Sequence, residues 1–286
     1  MAKLLGLVAC CTLAVLGASP QPDGMLHFQA RHRTTPPGAG DAGIVVEPVE
    51  IDPHQTALVI CDMWDRHWCV SATRRVAEMA PHINDLANAL RARGVLIIHC
   101  PSDTMDYYKD HPGRKLAQQA PKVQTPIPLL NWCNLQSDRE DKLPIDDSDG
   151  GCPDDPPCKN YKAWSHEIDT IHIEPGDAIT DNAEAFYLMK QRGITNVLVC
   201  GVHENMCVLG RPFSIRQMVR QGQRVLLVRD LTDTMYNPKM PPHVDHFTGT
   251  DLMTQHIEKY WCPTITSDQV LRGKPFRFAE DRRPQS

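Results

Sequence analysis

The hydrophobic pattern of this chain changes period along its length, and the changes outline a fold. "TALVICD" (56–62), "VLIIHC" (95–100), "IDTIHI" (168–173), "TNVLVCGV" (195–202), "RVLLVRD" (224–230) and "CPTITS" (262–267) are short and mostly apolar. Runs of that length read as strands, and those without alternation as strands buried on both faces. Between them the period lengthens. Val76, Met79, Ala80, Ile83, Leu86, Ala87 and Leu90 fall on one face of a helix over 74–93, which Gly94 stops. A second helix starts near Asp181, where Asp181 and Glu184 have capping-box spacing, and ends at Gly193. A third runs from about Met206 to Gly222, and a fourth covers 249–260. Strands alternating with helices predict an α/β fold of three layers, α/β/α. Its mostly parallel six-stranded sheet is joined by right-handed crossovers.

Two regions break this rhythm. Residues 20–55 are rich in Pro, Gly and His, show no periodic apolar pattern, and read as an N-terminal arm. Residues 101–167, after the second strand, hold no convincing strand. They carry Trp132, Tyr161, Trp164 and the acidic "DREDKLPIDDSDGGCPDDPPC" (138–158). An insertion this long inside a domain is usually functional or disordered, and it reads as a cap over the strand ends. The acidic run lacks the EF-hand order of ligands, so a solvated loop is the plainer reading beside calcium binding. The main domain therefore spans 56–270, with a solvated tail over 271–286.

The first residues change the chemical setting. In "MAKLLGLVACCTLAVLGASPQPDG" one lysine precedes an apolar run, Leu4 to Leu16, that ends in small residues. That is the pattern of a signal peptide over 1–19, too short for a stable bilayer anchor. It predicts an exported protein, periplasmic or secreted. Cys10 and Cys11 would leave with the signal, and an odd number of cysteines would enter an oxidising compartment. Cys61, Cys100 and Cys200 end apolar runs and read as core thiols. Cys152 and Cys158 flank "PDDPP" and are expected to pair. Zinc needs a denser ligand set than "CPDDPPC" supplies. With a net charge of −5 over 286 residues, nothing points to nucleic acid.

In parallel sheets of this kind the site lies at the carboxyl ends of the strands. Asp62, His99, Cys100, Glu174, His203 and Asp230 all fall there or just beyond. "GVHENMCV" (201–208) follows a buried strand and puts Cys207 in the first turn of a helix, with Asn205 as N-cap. Free N–H groups and the helix dipole favour a thiolate there and could hold an oxyanion. A small core cysteine is the other reading. Asp62 ends an otherwise apolar strand, where an unpaired acid is costly. It reads as a general base for a thiol or as a loop cap. Trp64, His67 and Trp68 could line a pocket or simply pack. "HENMC" is not HExxH, because residue 207 is Cys, and the chain has no P-loop and no GxGxxG. No cofactor is expected.

The stretches "TALVICDMWDRHWC", "VLIIHC" and above all "GITNVLVCGVHENMCVLGRPFSIRQMVRQGQRVLLVRDLTD" resemble the isochorismatase-like cysteine hydrolases, which include nicotinamidases and N-carbamoylsarcosine amidases. The resemblance covers roughly 55–270 without much of the insertion. It implies a parallel six-stranded sheet between helices and an Asp–Lys–Cys triad, with Asp62 as the acid and Cys207 as the nucleophile. It also implies a cis peptide at Val202–His203.

The family lysine lies about nineteen residues before the glycine that ends the next helix. Counting back from Gly193 reaches Glu174, so the implied triad is Asp62–Glu174–Cys207. Two carboxylates beside a thiol disfavour its anion, and His203, His99 or Arg211 could compensate. The family's metal pattern is incomplete, because Asp103 is followed by Met105 where a His belongs, and no metal is expected. Trp64, His67, Trp68, His99, Asp103, His203 and Arg211 are the expected substrate-binding groups. The implied activity is hydrolysis of a C–N bond in a small molecule. Acid–base chemistry by Asp62 and Glu174 without a covalent step, or a non-catalytic ligand binder on the same scaffold, are the alternatives. The only partner expected is the small molecule: no nucleic acid, no membrane after signal cleavage, and homo-oligomerisation left open.

Overall fold

The computed structural model describes residues 24–34 and 43–284. The expected signal peptide at 1–19 lies outside them. The fold is α/β, built on an eight-stranded sheet of order β2-β1-β8-β7-β6-β3-β4-β5. Its centre is β3 (Thr56–Cys61), flanked in parallel by β4 (Leu96–Cys100) and β6 (Asn196–Val202). β5 (Ala178–Ile179) extends the β4 edge. β7 (Arg224–Asp233) and β8 (Thr264–Ile265) extend the β6 side.

All six residues of β3 are buried, because helices cover both faces. Alternation sorts them. Leu58 and Ile60 pack with Ile97, Leu198 and the apolar stripe of α1 (Val70–Arg91), while Ala57, Val59 and Cys61 face the other way. On that second face they meet α3 (Glu184–Gln191), α5 (Ile215–Arg220) and α6 (His246–Tyr260). Every residue expected on the core face of α1 is buried. Burying such aliphatic side chains contributes about 1.5–3 kcal/mol each.

The sheet has eight strands rather than six because the supposed arm is a hairpin. β1 (Leu26–Thr34) and β2 (Gly43–Ile51) pair antiparallel, and β1 also joins β8. Leu26, Phe28 and Ala30 are buried between more exposed polar residues, a two-residue period that is present but short. The tail is not simply solvated either. Phe278 is buried against the α1 layer, and the Phe276 amide donates to Asp230.

"IDTIHI" forms no strand. Its amides are used locally: Ile168 donates to Met63, Ile171 to Ile168, and His172 to the Asn84 side chain. The helix expected over 206–222 breaks into α4 (Cys207–Gly210) and α5.

The insertion contains one short helix, α2 (Pro112–Gln118), and is anchored throughout. The Cys133 amide donates to Gly210 O at 2.7 Å. Glu140 takes Arg216, His256 and the Trp261 indole, an arrangement that outweighs its burial and lowers its pKa to about 2. Cys152 pairs with Cys69, not with Cys158. The loop after Cys152 turns on Asp154, whose carboxylate accepts the Ser71 amide at the start of α1 and so brings Cys152 against Cys69. Cys158 is left as a half-buried thiol. Among the described residues, no helix is long and apolar enough to cross a membrane.

Candidate functional site

From β3 the chain winds outward through β4 and β5, then returns to β6 on the other side of β3 and winds the opposite way. A crevice opens at such a reversal, at the carboxyl ends of β3 and β6. Asp62 leaves β3 in a left-handed conformation, φ 49°, which turns its carboxylate away from the strand line. Its Oδ1 accepts the Ser102 amide at 2.7 Å. Opposite, Gly201 has φ 101°, and a Cβ there would collide with the Cys61 carbonyl. Only glycine lets the end of β6 lie this close to β3. The Val202–His203 peptide is cis. His203 O then accepts the amides of Met206 and Val208, closing the turn that presents Cys207.

Cys207, Asp62 and Arg211 converge in this crevice. Arg211 follows Cys207 by one helical turn, and its amide donates to Cys207 O at 3.0 Å. Its Nε stands 3.6 Å from Asp62 Oδ2, and its Nη2 is 3.5 Å from Asp103 Oδ2. The Trp132 ring from the insertion covers the guanidinium, 5.7 Å from Cζ to ring centroid. Asp62 Oδ2 and Arg211 Nε are both buried, and neither completes a hydrogen bond within normal geometry.

Burial raises the Asp62 carboxyl to about 6, with Arg211 and Cys207 pulling the other way. Burial and the Asp62 charge push the Cys207 thiol well above its ordinary value, and Arg211 offsets part of that. Burial works against the Arg211 cation, but Asp62 and Cys207 outweigh it and raise its pKa. The resting site is therefore thiol, carboxylate and guanidinium at neutral pH.

Trp64, His67 and Trp68 pack together with Trp164. Trp64 stacks on Trp164 at 4.4 Å between centroids, and His67 lies parallel to Trp164 at 5.7 Å. Trp68 packs beside His67. Trp64 Nε1 donates to Ser102 O, on the residue whose amide holds Asp62. His203 meets His67 edge-on at 5.2 Å, and its Nε2 is buried without a partner. Burial keeps both rings neutral, lowering His67 to about 4 and His203 well below the ordinary imidazole value.

Four expectations fail. Glu174 is exposed, in the turn that enters β5, where its amide donates to Asp177 at 2.8 Å. It precedes its strand, at the sheet end opposite the crevice, so it is no partner for Cys207. His99 belongs to the α1 face of the sheet, since it alternates with Ile98 and Cys100 on the Cys207 face. Its ring is held between Glu167 at 2.6 Å and Asp177 at 3.2 Å. Asn205 does not cap α4; its side chain bonds Asp147 and the Met235 backbone. Asp230 anchors Ser267 and the tail.

Ser102 was not singled out in the sequence, because it acts through its backbone amide and no side-chain signal marks it. In the sequence Trp164 reads only as an aromatic of the insertion. Among the described residues no set of metal donors assembles around Cys207. Among the described residues the convergent group is Cys69, Cys152 and Asp154, at the start of α1.

No family model and no curated protein matches this chain. Among solved structures it is similar to a cysteine hydrolase from Pseudomonas syringae pv. phaseolicola, at 17% identity over 78% of this chain and 93% of that one, with a TM-score of 0.48. It is similar to an isochorismatase family protein from Burkholderia thailandensis, at 17% identity over 77% and 95%, TM-score 0.44. It is also similar to N-carbamoylsarcosine amidase from Thermoplasma acidophilum, at 13% identity over 75% and 97%, TM-score 0.41. At this identity and superposition the likeness says nothing about which residues act.

Proposed function

We propose that this chain is an exported cysteine hydrolase that cleaves an amide-type C–N bond of a small molecule, with Cys207 as nucleophile, Asp62 as base and Arg211 as the cation of the site. One observation carries the reading. Asp62 Oδ2 is buried without a hydrogen bond, beside the Cys207 thiol and 3.6 Å from Arg211 Nε. A buried carboxylate left in that state is costly unless it has a proton to take. The sequence resemblance to the isochorismatase-like hydrolases supports the same assignment of Asp62 and Cys207. Export is supported by the Cys69–Cys152 disulfide.

The steps follow from the charges. Cys207 rests as a thiol, so the Sγ–C bond forms as its proton passes to Asp62 Oδ2. Arg211 keeps Asp62 ionised beforehand, and as Asp62 takes the proton the negative charge passes to the former carbonyl oxygen. The Cys207 amide, in the first turn of α4, is the group that would hold the oxyanion developing beside Sγ. Protonated Asp62 then gives its proton to the leaving nitrogen. A water, deprotonated by Asp62, cleaves the thioester and restores the thiol. The Trp64–Trp164–His67 stack and Trp132 keep bulk water from the intermediate.

A panel of small carboxamides tests this by intact-mass spectrometry with parallel assay of acid release. The expected result is an acyl adduct on Cys207 and a turnover that Cys207→Ser abolishes. Binding without adduct or acid would favour the ligand-binding reading, and acid release that survives Cys207→Ser would remove the cysteine from the mechanism.

A further inference from the structure

Away from the crevice, one carboxylate oxygen sits against three sulfurs. Asp154 Oδ2 is 3.5 Å from Cys69 Sγ, 3.4 Å from Cys152 Sγ and 3.2 Å from Cys158 Sγ. Cys158 can donate a proton to it. The sulfurs of a disulfide have none to donate, so the Cys69–Cys152 bond leaves two of the three contacts without an attraction. A cation among the four atoms would supply it.

The distances fit a particular one. In a tetrahedral zinc site with Zn–S of about 2.3 Å and Zn–O of about 2.0 Å, sulfur and oxygen ligands lie about 3.5 Å apart. All three sulfur–oxygen contacts fall close to that edge length; Cys69, Cys152 and Asp154 already form a mutually close group, and the Cys158 sulfur must swing towards it to complete the set. We propose that the chain with Cys69 and Cys152 as thiols binds one zinc ion through Cys69, Cys152, Cys158 and Asp154. "CPDDPPC" alone is too sparse to hold zinc, but the fold adds Cys69 from the start of α1 and makes a set of three thiolates and a carboxylate.

The surroundings suit that set. The Cα atoms of Cys69 and Cys152 are 5.7 Å apart, so side-chain rotation separates the sulfurs to ligand spacing without moving the chain. Asp154 is already oriented, accepting the Ser71 amide at 3.0 Å and the Ser71 hydroxyl. Support of that kind fixes a ligating carboxylate. The excess negative charge falls at the N-terminus of α1, a helix of 22 residues, where backbone N–H groups favour anions. Arg74 donates to the Ser71 hydroxyl at 3.1 Å and adds a positive charge nearby. The ion would join the cap to α1 in the cluster that holds Ala72, Met235, Trp68 and Met206, the last being the residue before Cys207.

The test uses the full chain treated with a phosphine, which is oxidised to its oxide as the disulfide gains two electrons and two protons. After the phosphine is removed without air, cobalt(II) is titrated and then displaced by zinc. The expected result is one equivalent of cobalt with the intense visible bands of a tetrahedral thiolate complex, lost on adding zinc. Cys158→Ser should weaken binding at least tenfold, and Asp154→Asn should weaken it while keeping the sulfur-to-cobalt band. Cys207→Ser should bind like the parent, which separates this site from the proposed hydrolytic one. Absence of the cobalt bands in the reduced, folded chain overturns the proposal. So does binding that Cys158→Ser leaves unchanged, or binding that Cys207→Ser abolishes.

Discussion

Two buried charge clusters lie on opposite faces of the same sheet, on neighbouring strands, and they differ in one respect that matters. Within β4, His99 is clasped by Glu167 and Asp177, and Asp177 is clasped in turn by Arg91 at 2.9 and 2.7 Å. Burial opposes the His99 charge, yet the two acids raise its pKa to about 9. Burial also pushes Glu167 up, so the charge there is carried mainly by His99 and Asp177, which its partners hold low. Beyond β3, Asp62 and Arg211 approach only to 3.6 Å, with a thiol beside them. The first cluster has its proton placed and held. The second has an acid bonded through Oδ1 alone and, beside its open Oδ2, a thiol able to give it a proton. Burial, perturbed pKa and one unpartnered carboxylate oxygen, Glu167 Oε1 in the first and Asp62 Oδ2 in the second, are common to both, so none of these identifies a reactive site; the thiol beside the acid does.

Breaking the open cluster should have the largest effect. Arg211→Met removes the cation that keeps Asp62 ionised, and turnover of the amide substrate should fall by about 10²–10³-fold. Steady-state kinetics on folded protein would check this, and a fall of less than threefold would place Arg211 outside the mechanism. His99→Gln in the same assay should leave turnover per folded molecule within about threefold, a difference small beside the tenfold that 1.36 kcal/mol represents.

The closed cluster should instead govern stability. His99→Gln leaves Glu167 without its cation and Asp177 with Arg91 alone, and should cost about 3 kcal/mol in urea unfolding at pH 7. The sign with pH follows from the shift. The His99 pKa is raised above the ordinary 6.5 to about 9, so its contribution is full below pH 6.5 and disappears as pH rises through 9. The parent should lose stability over that window, and His99→Gln should lose much less.

Asp62→Asn sharpens the contrast further. The folded pKa of about 6 stands above the ordinary 3.8, so ionising Asp62 costs stability from pH 3.8 upward, fully so above pH 6. Asparagine cannot ionise. The variant should match the parent near pH 3 and exceed it by about 2–3 kcal/mol at pH 7, while losing turnover. Parent turnover should rise with pH through about 6. A variant less stable than the parent at pH 7 would mean that Asp62 is a structural cap.

Glu174→Lys should do least. The residue is exposed and enters β5 at the far end of the sheet. Turnover and Cys207 alkylation should stay within twofold of the parent, and stability within about 0.5 kcal/mol.

The contrast also explains what the sequence could disclose. The central strands were legible because buried parallel strands are unbroken apolar runs, and α1 because a one-sided stripe must repeat every turn. Asp62 and Cys207 were legible because each follows such a run. Glu174 was reached by counting from Gly193, which presumes a strand of family length where the chain has only Ala178 and Ile179. The cation was instead one helical turn past Cys207, at Arg211, a spacing visible in "CVLGR". The Cys152 pairing was misplaced because proximity in sequence says nothing of Cys69, 83 residues away. The role of Ser102 had no letter to announce it.

Gly201 sets the terms on which this site can change. Because β6 touches β3 through a position that tolerates no side chain, acid, thiol and cation are all carried by two adjacent central strands and the turns that leave them. The outer strand β5 is thereby released from chemistry. That edge could be lengthened, shortened or recharged without disturbing the crevice, while any residue larger than glycine at 201 would push β6 away from β3. The molecule concentrates its heritable constraint in one hydrogen atom and leaves its margin free to drift.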